Sequence, residues 1–313
     1  MTFPAPYRAR PARRDDLDAL VELHEARDLA DVGFVDQSRD EIVMDWAAPR
    51  FEFDRDTVVV VAPDGAIAAY AIVLALDPSV QVFGGGKVHP GRAGLGLGAA
   101  LLDETERMAM KRLPAGVTAP FRTAAPATDH RAVELITGRG YHPVRSFWHM
   151  QRPLPVEGPE TLTPPEIELR PGTADDEHIA FRILDQAFSD HFGYEPMTFE
   201  DWQREHHGDP GFDPTLMVMA FVADEPAGVA VNFRAEDGAG WVGELGVLEP
   251  FRRRGVARAL LARSFAALAA RGHHEARLGV DTENTTGATH LYESAGMTVR
   301  RRYDVYEKRL TGA

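Results

Sequence analysis

Apolar positions in the second half of the chain fall into short runs and longer stripes, and these predict an order of elements. IELRP, from Ile167, predicts a strand. A helix follows through DDEHIAFRILDQAF, and a second short helix lies near TFEDWQRE. TLMVMAFVA and AGVAVNFRA predict two strands joined by a tight turn, and GWVGELGVL a third. Leu261, Phe265 and Leu268 stand at i, i+4 and i+7, which gathers them on one face of a helix over 255–271, with Gly272 as its stop. A strand ARLGVD, a helix ending near Ala295 and Gly296, and a last strand MTVRRRYDVYEKRL complete the set. The pattern predicts a mixed α/β (α+β) domain with a largely antiparallel sheet and flanking helices.

The first half carries the same landmarks. RP-ARR-DD at Arg10 matches RP-GTA-DD at Arg170, and the hairpin turns at Gly65 and Gly228 correspond. AGLGLGAALL around Gly96 matches RRGVARALL around Gly255, and ELITGRGYHPVRSFWHM around Gly140 matches HLYESAGMTVRRRYDVY around Gly296. The pairs are separated by 160, 163, 159 and 156 residues. A spacing that steady, about one domain long, predicts two copies of one fold rather than a solenoid. The expected organisation is a first domain over 1–150, a stiff proline-rich linker over 151–166 and a second domain over 167–313.

Composition narrows the partners. The chain has 313 residues, 48 acidic and 34 basic, for a formal net charge of -14. Such a charge repels nucleic acid and anionic membranes, so neither is expected as a partner, and any anion must be caught locally. There is no cysteine, which excludes disulfides, thiolate metal sites and a cysteine nucleophile. The N-terminus has no apolar core of a signal peptide, and the longest apolar run, AIAAYAIVLAL, is too short to span a bilayer. A soluble cytoplasmic protein is the expectation, with its oligomeric state open.

Against this acidic background, VLEPFRRRGVARALL concentrates positive charge where a strand gives way to a helix. The first N–H groups of a helix have no internal acceptor, and the helix dipole adds positive potential there. Gly255 and Ala257 lack bulk, so a ligand can approach the backbone, while Arg252, Arg253, Arg254 and Arg258 ring the opening. The arrangement suits a pyrophosphate; a solvated basic helix start is the plain alternative. GLGLGA at 94–99 fits a dinucleotide fingerprint formally, but the segment after its helix ends no strand with an acidic residue, and the repeat sets it opposite residues 252–257.

Arg252-x-x-Gly255-x-Ala257 after ELGVLEPF resembles the acyl-CoA loop of the GNAT acetyltransferase superfamily. VDTENTTGATHLYESAGM, at 280–297, resembles that superfamily's second motif through Asn284, Leu291, Tyr292 and Gly296. The resemblance covers 167–310 in full and 8–150 more weakly, and the tandem is similar to the architecture of mycothiol synthases. It implies acetyl-CoA as cosubstrate, no metal, and direct transfer of the acetyl group to the primary amine of a small molecule. By the same resemblance, Arg252, Arg253, Arg254, Gly255, Val256, Ala257 and Arg258 hold the phosphates. A backbone N–H among Leu245, Gly246 and Val247 polarises the thioester carbonyl. Asn284 contacts the pantetheine arm, a role that competes with capping the helix behind it. Tyr292 is the expected acid and Glu244 the candidate base; the position of an alternative family base is near Trp241, which cannot serve.

The first copy has Ala93, Gly94 and Leu95 in place of the arginines and Ile136 in place of Tyr292, so it is expected to be non-catalytic. QAFSDHFGYEPMTFEDW, with Phe188, Phe192, Tyr194, Trp202, Asp190 and Glu195, reads either as an acceptor lining for a cationic amine or as a core-packing helix pair. REHHGDPGFD reads as a mobile surface loop and GHHE as a turn. A cysteinyl amino-sugar is the second acceptor reading, and a non-catalytic CoA-binding module the alternative of another class.

Overall fold

The computed structural model describes residues 3–312 apart from 36, 49, 76, 156–162, 236 and 285–286. The middle of the expected linker therefore lies outside the described residues. The chain forms two compact units, Met1–Phe147 with Arg301–Ala313, and Trp148–Arg300.

The first unit contains strands β1 (Arg8–Arg10), β2 (Thr57–Val61), β3 (Ile67–Leu74), β4 (Val82–Val88) and β5 (Thr118–Pro126), with helices α1 (Leu17–Asp31), α2 (Arg39–Ala47), α3 (Phe53–Asp56), α4 (Leu97–Arg112) and α5 (His130–Gly138). Strand β6 (His142–Pro153) leads into the second unit. That unit holds β7 (Ile167–Pro171), β8 (Val218–Val222), β9 (Glu225–Arg234), β10 (Gly240–Val247) and β11 (Glu275–Asp281), with α6 (Glu177–Phe188), α7 (Phe199–Gly208), α8 (Val256–Ala270) and α9 (Ala288–Ser294). Strand β12 (Thr298–Thr311) ends the chain. Strand order is β1-β2-β3-β4-β5-β12 in the first unit and β6-β11-β10-β9-β8-β7 in the second. The mixed α/β fold thus has largely antiparallel sheets; β4–β5 and β10–β11 are parallel.

The repeated RP…DD landmark has a physical cause. Arg10 donates two hydrogen bonds to Asp16, at 2.7 and 2.6 Å, and Arg170 two to Asp176, both at 2.7 Å. Each aspartate also accepts a backbone N–H, from Arg13 at 2.7 Å or Thr173 at 2.9 Å. One side chain thereby ties the first strand to the turn that starts the first helix, once in each unit. The Arg170 hydrogen bonds hold the Asp176 carboxyl down at about 2.

The apolar stripe on α8 behaves as its spacing predicts. Leu261, Phe265 and Leu268 are buried with Val242, Leu278 and Val280, each burial contributing about 1.5–3 kcal/mol. The adjacent face, Val256, Ala259 and Leu260, packs on β8 and β9.

The two units exchange their closing strands. The strand expected to finish the second copy instead closes the first unit: β12 pairs antiparallel with β5 from Tyr303↔Pro126 to Thr311↔Thr118. Its Tyr306 and Leu310 enter the first unit's core. In return β6 carries Met150 into the core of the second unit, joined there by Leu154 just after the strand, whose N–H donates to the His274 carbonyl at 2.8 Å. The two strands have similar patterns, so either can close either sheet, and periodicity alone does not say which does.

A chain of residues 1–147 lacks the strand that covers β5. Its circular dichroism and amide spectrum should be those of an unfolded chain, with native dispersion returning on addition of a peptide spanning β12. Cooperative folding of the fragment alone would show the exchange to be dispensable.

Candidate active site

Strands β10 and β11 pair over only Gly240↔Ala276 and Trp241↔Arg277, while β10 continues beside β9 as far as Val247↔Gly228. Beyond Trp241 the β11 side of β10 opens, and backbone groups there have no strand partner to satisfy them. Leu245, Gly246 and Val247 occupy this open part. Gly246 lets α6 come close: a Cβ there would lie 3.1 Å from both Ala187 and Leu184 of α6, a tight contact that would make those side chains shift. The helix therefore comes down onto the strand at the level of the gap.

Glu244 faces α6 and α7 because the β9–β10 register slips between Val242 and Glu244. The extra residue is Gly243, and such a bulge turns the following side chains to the opposite face. Val242 consequently packs under α8, whereas Glu244 meets α7. Strand alternation had left the direction of Glu244 open, and the bulge settles it. Glu244 Oε2 lies 3.0 Å from Nε2 of His206, whose Nδ1 lies 2.8 Å from the Trp202 carbonyl.

His206 is the residue the sequence reading missed. The segment REHHGDPGFD was read as a mobile surface loop, but α7 runs through Gly208 and buries His206. Phe199, Trp202 and His206 sit at i, i+3 and i+7 on the buried face. Continuing that period past Glu205 was the available signal.

The arginine loop has two residues in the left-handed region. Gly255 caps α8 at φ 87°, and Arg253 adopts φ 64°. The first repeat places glycine at both matching positions, Gly94 at φ 80° and Gly96 at φ 77°. A non-glycine residue there costs about 1–2 kcal/mol, so the second repeat keeps an arginine against strain. No side chain caps α8, which leaves the N–H groups of Val256, Ala257 and Arg258 available. Arg252 donates through Nε to the Val247 carbonyl at 3.1 Å, joining the loop to the end of the open strand. Arg254 lies over the Phe251 ring at 5.9 Å. Among the described residues, none of Arg252, Arg253, Arg254 and Arg258 forms an ion pair, and all four are exposed. Uncapped helix N–H groups, with arginine charge that no carboxylate neutralises, can take a pyrophosphate.

Tyr292 on α9 has its ring in the core with Val242, Leu261 and Val280. Its hydroxyl makes no hydrogen bond among the described residues and is not one of their fully buried polar atoms, so it is left available to a ligand. Burial pushes the phenol up to about 12, so it is protonated at neutral pH. Asn284 lies in the turn after β11, its N–H donating to the Asp281 carbonyl at 3.2 Å. It does not cap α9: that position is Gly287, at φ 78°.

The segment expected to line an acceptor site divides. Trp202 is core, packed with Ile183, Met217 and Val231, as the plain reading had it. Phe188 stands edge-on to His191 with centroids 4.5 Å apart, and Tyr194 donates to Asp185. Burial first, and then the charge of Arg252, lower the pKa of His191 against the pull of Asp281 and Asp190.

The first unit retains the frame and loses these side chains. Its β4 and β5 also pair over just two residues, Val82↔Phe121 and Phe83↔Arg122. Its β3–β4 register is unbroken, so there is no bulge. Gly85 stands at the Glu244 position and Ile136 at the Tyr292 position. Where the second unit has Gly246, the first has Lys87, whose Nζ lies 2.6 Å from Oδ1 of buried Asp28. A cavity of about 780 Å³ remains, lined by Gly86, Gly94, Gly96, Gly98, Thr123 and Ile136 among others.

Comparison with known proteins agrees with this geometry. The model of the acetyltransferase (GNAT) family matches residues 178–297. A mycothiol acetyltransferase of Thermobispora bispora is 35% identical over 247 residues, 75% of this chain and 78% of that protein. A mycothiol acetyltransferase of Salinispora arenicola is 32% identical over 247 residues, 75% and 76% of the two chains. The crystal structure of a GCN5-related N-acetyltransferase from Sphaerobacter thermophilus shares 34% identity and a TM-score of 0.84, covering 100% of this chain and 98% of that one. A tandem GNAT protein from the clavulanic acid biosynthesis pathway is 14% identical with a TM-score of 0.74, over 97% and 98% of the chains, and shows the fold alone.

The chain belongs to the GNAT acetyltransferase family. It is an acetyl-CoA-dependent N-acetyltransferase with two tandem GNAT domains. Among the described residues no helix is long and apolar enough to cross a membrane, and no group of three or more side chains could hold a metal ion.

Arg253→Gly tests the strained loop. It should raise unfolding stability by about 1 kcal/mol in denaturant titration and weaken acetyl-CoA binding about tenfold by calorimetry. Equal affinity in the variant would remove Arg253 from the phosphate site.

Proposed function

We propose that the second unit transfers the acetyl group of acetyl-CoA directly to the primary amine of a small molecule. The observation that carries this reading is the asymmetry between the repeats. Both keep the parted strands and the left-handed turn into a helix, yet only the second adds a bulged carboxylate, a partnerless buried phenol and an unpaired arginine cluster. In the first, the Lys87–Asp28 ion pair fills the α1 side of β4, where the second unit has Gly246 against α6. This favours catalysis in the second unit and a packing or CoA-holding role for the first.

The chemistry assigns each group one task. The arginine loop and the open N–H groups of α8 hold the pyrophosphate, and Asn284 contacts the pantetheine arm. A backbone N–H among Leu245, Gly246 and Val247 stabilises the oxygen as the amine nitrogen adds to the thioester carbon. Glu244, directly or through water, takes the proton the amine gives up. When the carbon–sulfur bond breaks, Tyr292 gives its proton to the thiolate, which leaves as CoA. No acyl-enzyme forms, consistent with a chain that has no cysteine.

A cysteinyl amino-sugar acceptor is the second reading, favoured by the 35%-identical relative named a mycothiol acetyltransferase. Trp241, near the strand position where the family often carries its base, packs edge-on against His149, with centroids 5.3 Å apart, which leaves Glu244 as the candidate base. A panel of primary amines that includes a cysteinyl amino-sugar, scored by chromatographic CoA release, separates the two readings. Turnover confined to the cysteinyl sugar would select the second reading, and turnover with none would favour a CoA-binding module.

Tyr292→Phe should lower kcat about 100-fold while the Kd for acetyl-CoA stays within twofold, since only the departing thiolate loses its proton donor. Unchanged kcat would show that the acid is another group.

A further inference from the structure

His206 has a hydrogen-bond acceptor at each ring nitrogen. Nδ1 lies 2.8 Å from the Trp202 carbonyl oxygen, which can only accept, and Nε2 lies 3.0 Å from Glu244 Oε2. An imidazole with one proton satisfies one of these contacts. With Glu244 ionised, both are hydrogen bonds only if the ring carries two protons.

The surroundings hold the ring in place. It is 7% exposed and lies against Trp202 at a 30° tilt with centroids 3.9 Å apart, with Phe212 and Phe233 at 5.3 and 5.7 Å. The charged groups facing it are Glu244 from β10 and Glu205 from its own helix. The rings from β9 and the 212 loop carry no charge, and neighbouring His207 turns to Glu177 at 3.1 Å. Burial disfavours the charged ring, but the hydrogen bond and charge of Glu244, the Trp202 carbonyl and the charge of Glu205 outweigh it, and the pKa is raised.

The first repeat lacks both members of this pair. Counting from the helix caps Ser38 and Thr198, the position of His206 is held by Trp46, which donates to Tyr70 at 3.0 Å, and Glu244 is matched by Gly85. Carboxylate and histidine are present together or absent together.

We propose that His206 is a positioning residue for proton transfer: its imidazolium donates Nε2–H to Glu244 Oε2 and leaves Oε1 to take the proton of the acceptor amine. The inference rests on the reading of Glu244 as the base. Oε1 accepts no hydrogen bond among the described residues, so it is the free oxygen of the pair. In the step, an amine N–H bond breaks and an Oε1–H bond forms, while the ring keeps both of its protons. Above its own pKa the ring would turn a lone pair toward the carboxylate and release it. The device therefore works below that pKa and fails above it.

The test uses the full chain. In ¹⁵N-histidine-labelled protein at pH 7, His206 should be protonated on both nitrogens and titrate above the ordinary histidine value of about 6.5; Glu244→Gln should lower that pKa. With the best amine of the panel, His206→Phe should cut kcat about 100-fold with the KM for acetyl-CoA within twofold. His206→Gln offers an uncharged donor at the same reach. It should recover kcat to within about fivefold and lose the alkaline limb of the wild-type pH profile, which a residue serving packing alone would not affect. A singly protonated ring at pH 7 overturns the proposal, as does wild-type kcat in His206→Phe while Glu244→Gln is inactive. Full activity in Glu244→Gln instead removes the base assignment, and the proposal falls with it.

Discussion

The structure depends on the parting of two parallel strands. β10 and β11 share hydrogen bonds at two residue pairs and then diverge, so one strand keeps its antiparallel neighbour on one side and faces open space on the other. A sheet ordinarily satisfies its backbone groups internally. Leaving a central strand half-paired costs stability unless something else takes those groups. The surrounding features follow from that opening: α6 approaches at Gly246, an arginine of the loop after the strand is tied to the Val247 carbonyl, and the next helix presents uncapped N–H groups.

The two repeats separate what the fold needs from what the chemistry needs. Both keep the Arg–Asp clasp, the parted strands and two left-handed residues before a helix. These are requirements of the backbone, and glycine meets the last of them most cheaply. The first repeat uses glycine at both positions; the second retains Arg253 in a conformation that resists it. Such strain points to a job for the side chain itself. The same contrast runs through Glu244 against Gly85 and Tyr292 against Ile136, none of which the fold requires.

Much of this was legible in the sequence. The helical period of Leu261, Phe265 and Leu268, the tandem landmarks and the strand–arginine–glycine–helix order all lead to the family that comparison shows. What periodicity missed has physical reasons. The exchange of β6 and β12 is invisible because similar strands can close either sheet. The bulge at Gly243 inverts the face of Glu244 without changing the pattern of residue types. His206 was hidden because the expected helix stops at Glu205, three residues short of the end of α7 at Gly208, which leaves a buried ring inside an apparent loop. Asn284 resembled a helix cap, yet the backbone turned at Gly287 instead.

The account stands or falls on where acetyl-CoA lies, and a crystal structure of the full chain with acetyl-CoA tests that most directly. The account predicts the pyrophosphate on the N–H groups of Val256, Ala257 and Arg258. It predicts the thioester oxygen within hydrogen-bond distance of a backbone N–H among Leu245, Gly246 and Val247, with the sulfur beside the Tyr292 hydroxyl. Acetyl-CoA seated only in the cavity of the first unit, or in the second unit with its sulfur remote from Tyr292, would contradict it.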